Sequence, residues 1–221
     1  MLINNNTKLN NIKLILIEIF IIKYIESIYN IFYSWYSDVK YNKFKILEDS
    51  YLQILAEVPH LNMDKIRIDR RQDQWTDNSY SFIEELKYNK DWIRSWDPSK
   101  KWFNFPLIYR DKVIGLAKKL CPNTIKILKK IGSINIAGFS LLLPGCKLIP
   151  HCDSTGPSYN SMALNMMLDG KKSNLIVEYL KKNKYIHKNG KLVIFNSENI
   201  HYAENNGNTN RVILYIDFRL E

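Results

Sequence analysis

Pro144-Gly145, Asp169-Gly170 and Asn189-Gly190 cut the second half of this chain into short apolar pieces, and that punctuation constrains the fold more than any other feature. Ile134–Leu143, Ser161–Leu168, Asn174–Tyr179, Lys184–His187, Lys191–Phe195 and Arg211–Phe218 each read as a strand, with Asn189-Gly190 as a hairpin turn. Many short strands at close spacing predict a double-sheet jelly roll, cupin-like, in a mainly β chain with N-terminal helices.

Upstream the signals differ. Tyr109 to Ile131 reads as helical, with Pro122 opening a second helix through Asn123 or Thr124 to Lys130. Asp97-Pro98-Ser99 and Phe105-Pro106 mark turns, and Ile66 to Phe105 supplies short strands. Trp75, Trp92, Trp96 and Trp102 fall in or near that stretch and read as core and cleft walls. Leu14 to Tyr36 is apolar but interrupted by Glu18, Lys23 and Glu26, so its unbroken runs fall short of the roughly 20 residues a span requires. The early residues are polar and no small-residue cleavage site follows, which argues against a signal peptide. An amphipathic helix packing on the domain is the expectation, and the alternative for residues 11–36 is an interfacial anchor or a dimer contact. The division expected is 1–50 as an N-terminal helical segment and 51–221 as the catalytic domain.

With 221 residues, 46% hydrophobic and 13% aromatic, the chain can bury one moderate core and does not have a disordered composition. The formal charge of +10 admits anionic partners. It is equally explained by richness in Lys, Ile, Asn and Tyr, residues with AT-rich codons. No dense basic run interleaved with aromatics appears, which disfavours nucleic acid. Cys121, Cys146 and Cys152 are odd in number and lack a disulfide spacing, pointing to a reducing, cytoplasmic setting.

Within the β half, His151 and Asp153 stand two apart, so on an extended segment they point to one side, while Cys152 points away. Pro150 suits a strand edge at a pocket mouth. His201 follows a polar turn, Asn196-Ser197-Glu198-Asn199, and can come from a neighbouring strand. Two imidazoles and a carboxylate form a face that holds Fe(II) and leaves positions open. Arg211 opens the last strand, sharing its side with Ile213, Tyr215 and Asp217. An inward guanidinium needs an anion, and the distal carboxylate of 2-oxoglutarate fits that need. The plainer alternative pairs Arg211 with Asp217 or Glu204 at the surface. His60 and His187 read as surface residues.

The ordered combination resembles the aspartyl/asparaginyl β-hydroxylase family of 2-oxoglutarate oxygenases. It is carried by Trp102 through Leu107, Cys121 through Leu128, Phe139 through Gly145, Ile149-Pro150-His151, Gly190 through Phe195, His201 and Arg211 through Asp217. The resemblance implies a double-stranded β-helix using Fe(II), 2-oxoglutarate and O₂. It implies His151 and His201 as metal ligands, and Arg211 with Ser140 as the grip on cosubstrate. Family members carry Arg and His on the strand after the first ligand; this strand reads Met162-Ala163-Leu164-Asn165-Met166, leaving Asn165 as the substitute. Animal members resemble a site without a carboxylate, so Asp153 is either a third ligand or a neighbour of the ligands. The implied reaction is hydroxylation of an unactivated C–H, foremost the β-carbon of Asp or Asn in a polypeptide. The alternatives are a lipid acyl-chain hydroxylase at a membrane surface and a catalytically inactive binding module of the same fold. The oligomeric state is not indicated.

Overall fold

In the computed structural model, the residues described are 15–22, 24, 39–68, 86, 91–153, 161–179 and 181–219. Trp75 and the loop 154–160 lie outside them. By contacts the chain divides into Met1–Ser34 and Trp35–Glu221. In the first unit, 15–22 and 24 are helical, and their apolar side chains are exposed, Phe20 at 73%. Among the described residues no helix is long and apolar enough to cross a membrane.

The second unit is a jelly roll of two antiparallel sheets. Its strands are β1 (Ile93–Arg94), β2 (Trp102–Tyr109), β3 (Lys112–Val113), β4 (Ile134–Leu142), β5 (Ser161–Asp169), β6 (Ser173–Tyr179), β7 (Lys181–Ile186), β8 (Leu192–Phe195), β9 (Ile200–Asn205) and β10 (Arg211–Arg219). The larger sheet runs β1-β2-β4-β10-β5-β8, with β3 paired to β2; the smaller runs β7-β6-β9. β4, β10 and β5 are buried along most of their length, so both faces of the large sheet are covered. One face meets the small sheet, where Ala163, Val193 and Phe195 cluster with Leu175 and Val177. The other takes the helices.

Those helices are α1 (Lys45–Asp49), α2 (Tyr51–Ala56), α3 (Ala117–Leu120) and α4 (Pro122–Ile131). Phe44 stacks on Phe218 with ring centroids 4.5 Å apart. The Tyr51 hydroxyl donates to the carbonyl of Leu168 at 2.8 Å, and the Glu48 carboxylate accepts from Leu192 N at 3.1 Å. Pro122 opens α4, as the sequence predicts. The N-cap is Cys121, and the cap is supplied from a distance: the Glu57 carboxylate accepts from the backbone N–H groups of Asn123 (2.9 Å) and Thr124 (2.7 Å). A carboxylate there satisfies orphan donors and complements the helix dipole.

Three expectations fail: Phe105-Pro106 is no turn but lies inside β2, paired with Phe139 and Gly138 of β4. Residues 109–116 are not helical; Arg110 and Asp111 take positive φ (47° and 61°) and turn β2 into β3. Asn189-Gly190 is a turn with Gly190 at φ +74°, but it closes no hairpin. β7 pairs with β6 and β8 with β5, so this turn carries the chain from one sheet to the other. Local turn chemistry does not distinguish the two uses. β9, which carries His201, is an additional strand.

Candidate metal centre and its pocket

His151 and His201 are brought face to face by a bridge between two chain segments. His151 N donates to His201 O at 3.0 Å and His201 N donates to His151 O at 2.8 Å. Their ring centroids are 4.5 Å apart. Asp153, two residues on, is tied to the segment before β9 by its N–H donating to Ser197 O at 2.9 Å. The ligand atoms of His151, Asp153 and His201 all lie within 4.8 Å of one another. Cys152 between them is exposed, as strand alternation predicts.

Both imidazoles are anchored through Nδ1, which leaves Nε2 as the atom that faces the centre. His151 Nδ1 lies 2.8 Å from the carbonyl of Ile149, and His201 Nδ1 lies 2.9 Å from the carbonyl of Asn199. A carbonyl only accepts, so each Nδ1 carries a proton, and each Nε2 is the ring atom turned toward Asp153. Those Nε2 atoms sit 3.9 Å and 3.5 Å from the Asp153 carboxylate. Tyr215 of β10 donates its hydroxyl to Asp153 Oδ2 at 2.8 Å. Burial works to raise the Asp153 pKa, but the hydrogen bond from His201, the two imidazoles and Tyr215 outweigh it and hold the carboxyl well below the usual range. For His201, burial disfavours the charged form, yet Asp153 and the Asn199 carbonyl raise its pKa overall. Two imidazoles and one ionised carboxylate are the donor set suited to non-haem Fe(II).

Aromatic rings wall this centre. Trp96 meets the His151 ring edge-on at 5.1 Å, Trp102 lies 6.1 Å from it, and Phe195 lies 5.0 Å from His201. Two of the tryptophans singled out in the sequence therefore line the site, while Trp92 belongs to the core and donates to Pro59 O.

Deeper between the sheets, Arg211 is 2% exposed, which removes the surface-pairing alternative. Glu204 is engaged by Lys147, and Asp217 accepts from Asn135. Arg211 Nε donates to Ser173 Oγ at 2.8 Å, and Nη2 lies 3.1 Å from His187 Nε2. Burial pulls the Arg211 pKa down to about 10, so the guanidinium stays charged at neutral pH. Among the described residues no carboxylate pairs with it, leaving a buried cation whose charge is uncompensated.

His187 corrects the sequence reading most sharply: it is not a surface residue but 8% exposed, behind Arg211. Burial, then the charge of Arg211, holds it well below its ordinary pKa, so it is neutral. A signal was present. Along β7, residues 182, 184 and 186 are exposed while 183, 185 and 187 turn inward, so period-two alternation places His187 with Tyr185. Exposed Ile186 (63%) disguised the pattern. His60 is exposed, as expected.

Ser140 and Asn165 share the pocket face with Tyr215 and Ile213, their register neighbours on β10. Ser140 Oγ accepts from Trp102 Nε1 at 2.7 Å and keeps its own proton to donate. Asn165 Oδ1 and Asn104 Nδ2 are buried without a partner among the described residues. Unsatisfied buried polar atoms are costly, and a polar group brought within their reach would relieve that cost.

A family model for aspartyl/asparaginyl β-hydroxylase matches residues 48–220. The chain belongs to the aspartyl/asparaginyl β-hydroxylase family. An uncharacterised protein of Acanthamoeba polyphaga mimivirus is 34% identical over 167 residues, 72% of this chain and 59% of that one. An ornithine lipid ester-linked acyl 2-hydroxylase of Rhizobium tropici is 33% identical over 101 residues, 45% of this chain and 35% of that one. The chain thus spans between a third and three fifths of these relatives. A 2OG-Fe(II) oxygenase family oxidoreductase from Burkholderia pseudomallei superposes with a TM-score of 0.46 at 12% identity, over 63% of this chain and 77% of that one.

Proposed function

We propose that this family member is an Fe(II)- and 2-oxoglutarate-dependent hydroxylase of an unactivated C–H bond. The observation that carries the reading is the triad His151, Asp153 and His201, tied through Tyr215 to the same face of β10 that carries the buried Arg211, which pairs with no carboxylate among the described residues. Metal, cosubstrate and O₂ together would supply the oxidising power, converting 2-oxoglutarate to succinate and CO₂ while one oxygen atom enters the substrate. The chain's own share is placement. His151 and His201, fixed through Nδ1, hold the metal with Asp153. Arg211 takes the distal carboxylate of the cosubstrate, with the Ser140 hydroxyl and Asn165 as further polar contacts. Trp96, Trp102 and Phe195 keep water from the reacting centre.

The substrate proposed is the β-carbon of Asp or Asn in a polypeptide, an acidic one suiting the +10 charge. A second reading, hydroxylation of a lipid acyl chain, is favoured by the exposed apolar side chains from Ile15 to Ile22, which suit a membrane surface. The readings share a reaction centre: each target carbon is adjacent to a carbonyl. Incubation with Fe(II), 2-oxoglutarate and ¹⁸O₂ separates them. A peptide substrate gains one labelled oxygen and releases stoichiometric succinate; an acyl substrate does so only when presented in vesicles, with loss on deleting residues 1–36. Succinate release with neither class, or none from metal-replete folded protein, would sink the proposal.

A further inference from the structure

Arg211 has two edges with which it can bind a carboxylate: the lateral edge of Nε and Nη2, and the terminal edge of Nη1 and Nη2. The lateral edge is taken. Ser173 Oγ accepts from Nε at 2.8 Å, and His187 Nε2 accepts from Nη2 at 3.1 Å. Arg carries no acceptor and is charged, so His187 is necessarily the acceptor, with its proton on Nδ1. Both partners come from the small sheet: Ser173 begins β6 and His187 follows β7, tied together by His187 N donating to Ser173 O at 2.9 Å. They are 1% and 8% exposed, so water does not compete for the edge.

We propose that His187, with Ser173, is the positioning device that presents the terminal Nη1/Nη2 edge of Arg211 to the distal carboxylate of the cosubstrate. This rests on the 2-oxoglutarate reading and deepens it. A guanidinium free to rotate about its side-chain torsions would bind the carboxylate through either edge, with the keto-acid end displaced accordingly from the metal. With the lateral edge occupied, one orientation remains, and the cost of ordering a long side chain is met before the ligand arrives. His187 suits the task because burial and the neighbouring cation keep it neutral, so its lone pair stays available. Lys in its place would repel Arg211, and a carboxylate would neutralise it and close the site to an anion.

The test is anaerobic titration of the Fe(II)-loaded protein with 2-oxoglutarate, following the visible charge-transfer band of the chelate. Wild type is compared with His187→Leu, His187→Gln and Ser173→Ala, with thermal melts of each. His187→Leu is expected to raise the Kd for 2-oxoglutarate about tenfold, as for a lost hydrogen bond to a charged group. His187→Gln, whose side-chain oxygen can still accept from Nη2, is expected to stay within about threefold of wild type. Ser173→Ala removes the other acceptor and is expected to raise Kd in the same direction, which keeps the test alive if His187→Leu fails to fold. A band in wild type whose Kd is unmoved by both His187→Leu and Ser173→Ala would overturn the role of His187 alone. Absence of any 2-oxoglutarate-dependent band in metal-replete wild type would overturn the cosubstrate reading and this inference with it.

Discussion

Replacing Tyr215 by Phe removes one atom from the β10 face and isolates how Asp153 is held. The Tyr215 hydroxyl donates to Asp153 Oδ2 at 2.8 Å, leaving Oδ1 to lean toward His151. Hydrogen bonds to a charged group contribute about 1.5–3 kcal/mol. The Asp153 side chain is 34% exposed, however, so water can replace part of that bond. A value just under that range, about 1.4 kcal/mol, corresponds to roughly a tenfold loss of metal affinity. That agrees with the range of about 10–100-fold seen when groups supporting metal ligands are removed. The assay is titration with Co(II), whose visible bands report coordination, against a competing chelator, with the melting temperature of the metal-free variant alongside. Tyr215→Phe is expected to weaken Co(II) binding about tenfold, with the metal-free melt lowered by no more than about 1.4 kcal/mol, since the ring stays in place. Affinity within twofold of wild type would refute the idea that Tyr215 fixes the carboxylate.

Three more outcomes follow from the surroundings. Burial pushes the Asp217 carboxyl up to about 7, with the Asp153 charge adding to it and Asn135 and Arg219 opposing. A raised acid binds more protons folded than unfolded, so it costs stability as pH rises from about 4 through 7. Asp217→Asn should therefore melt above wild type at pH 8 in the metal-free protein, by on the order of 1–3 kcal/mol, and lose that advantage at pH 4.5; a pH-independent difference would contradict this. A Cβ on Gly138 would stand 2.9 Å from the backbone oxygen of Phe105, which cannot yield without disturbing the β2–β4 ladder. Gly138→Ala should cost about 1–3 kcal/mol in denaturant unfolding, and a neutral result would show that the ladder is looser than drawn. Cys121 is buried with its thiol pushed up to about 12, and Cys146 is buried, whereas Cys152 is exposed. Iodoacetamide on the native protein should label Cys152 first, as read by peptide mass.

How much of this was legible in the chain depends on how local the signal is. The alternation of His151, Cys152 and Asp153 and the turns at Gly145 and Gly170 depend on adjacent residues, and the strands and exposures they imply match the fold. Glu57 capping α4 was invisible, because it lies 66 residues from the Asn123 it serves. The sheet exchange at Gly190 was equally hidden, since the turn has the same chemistry whether it closes a hairpin or changes sheets. His187 shows a subtler limit. Its alternation was readable, but its value lies in a contact with Arg211, 24 residues away on another sheet, that only the packed jelly roll creates.

The central claim is that His151, Asp153 and His201 bind one Fe(II) that accepts 2-oxoglutarate beside Arg211. Anaerobic addition of Fe(II) and then 2-oxoglutarate to metal-free protein tests it most directly, comparing wild type with His201→Ala, Asp153→Ala and Arg211→Ala. The account predicts a visible charge-transfer band in wild type at one iron per chain. It predicts loss of that band in His201→Ala, weaker iron binding in Asp153→Ala, and intact iron binding with a higher 2-oxoglutarate requirement in Arg211→Ala. A folded wild type that binds iron without developing the band, or a band that survives His201→Ala unchanged, would contradict it.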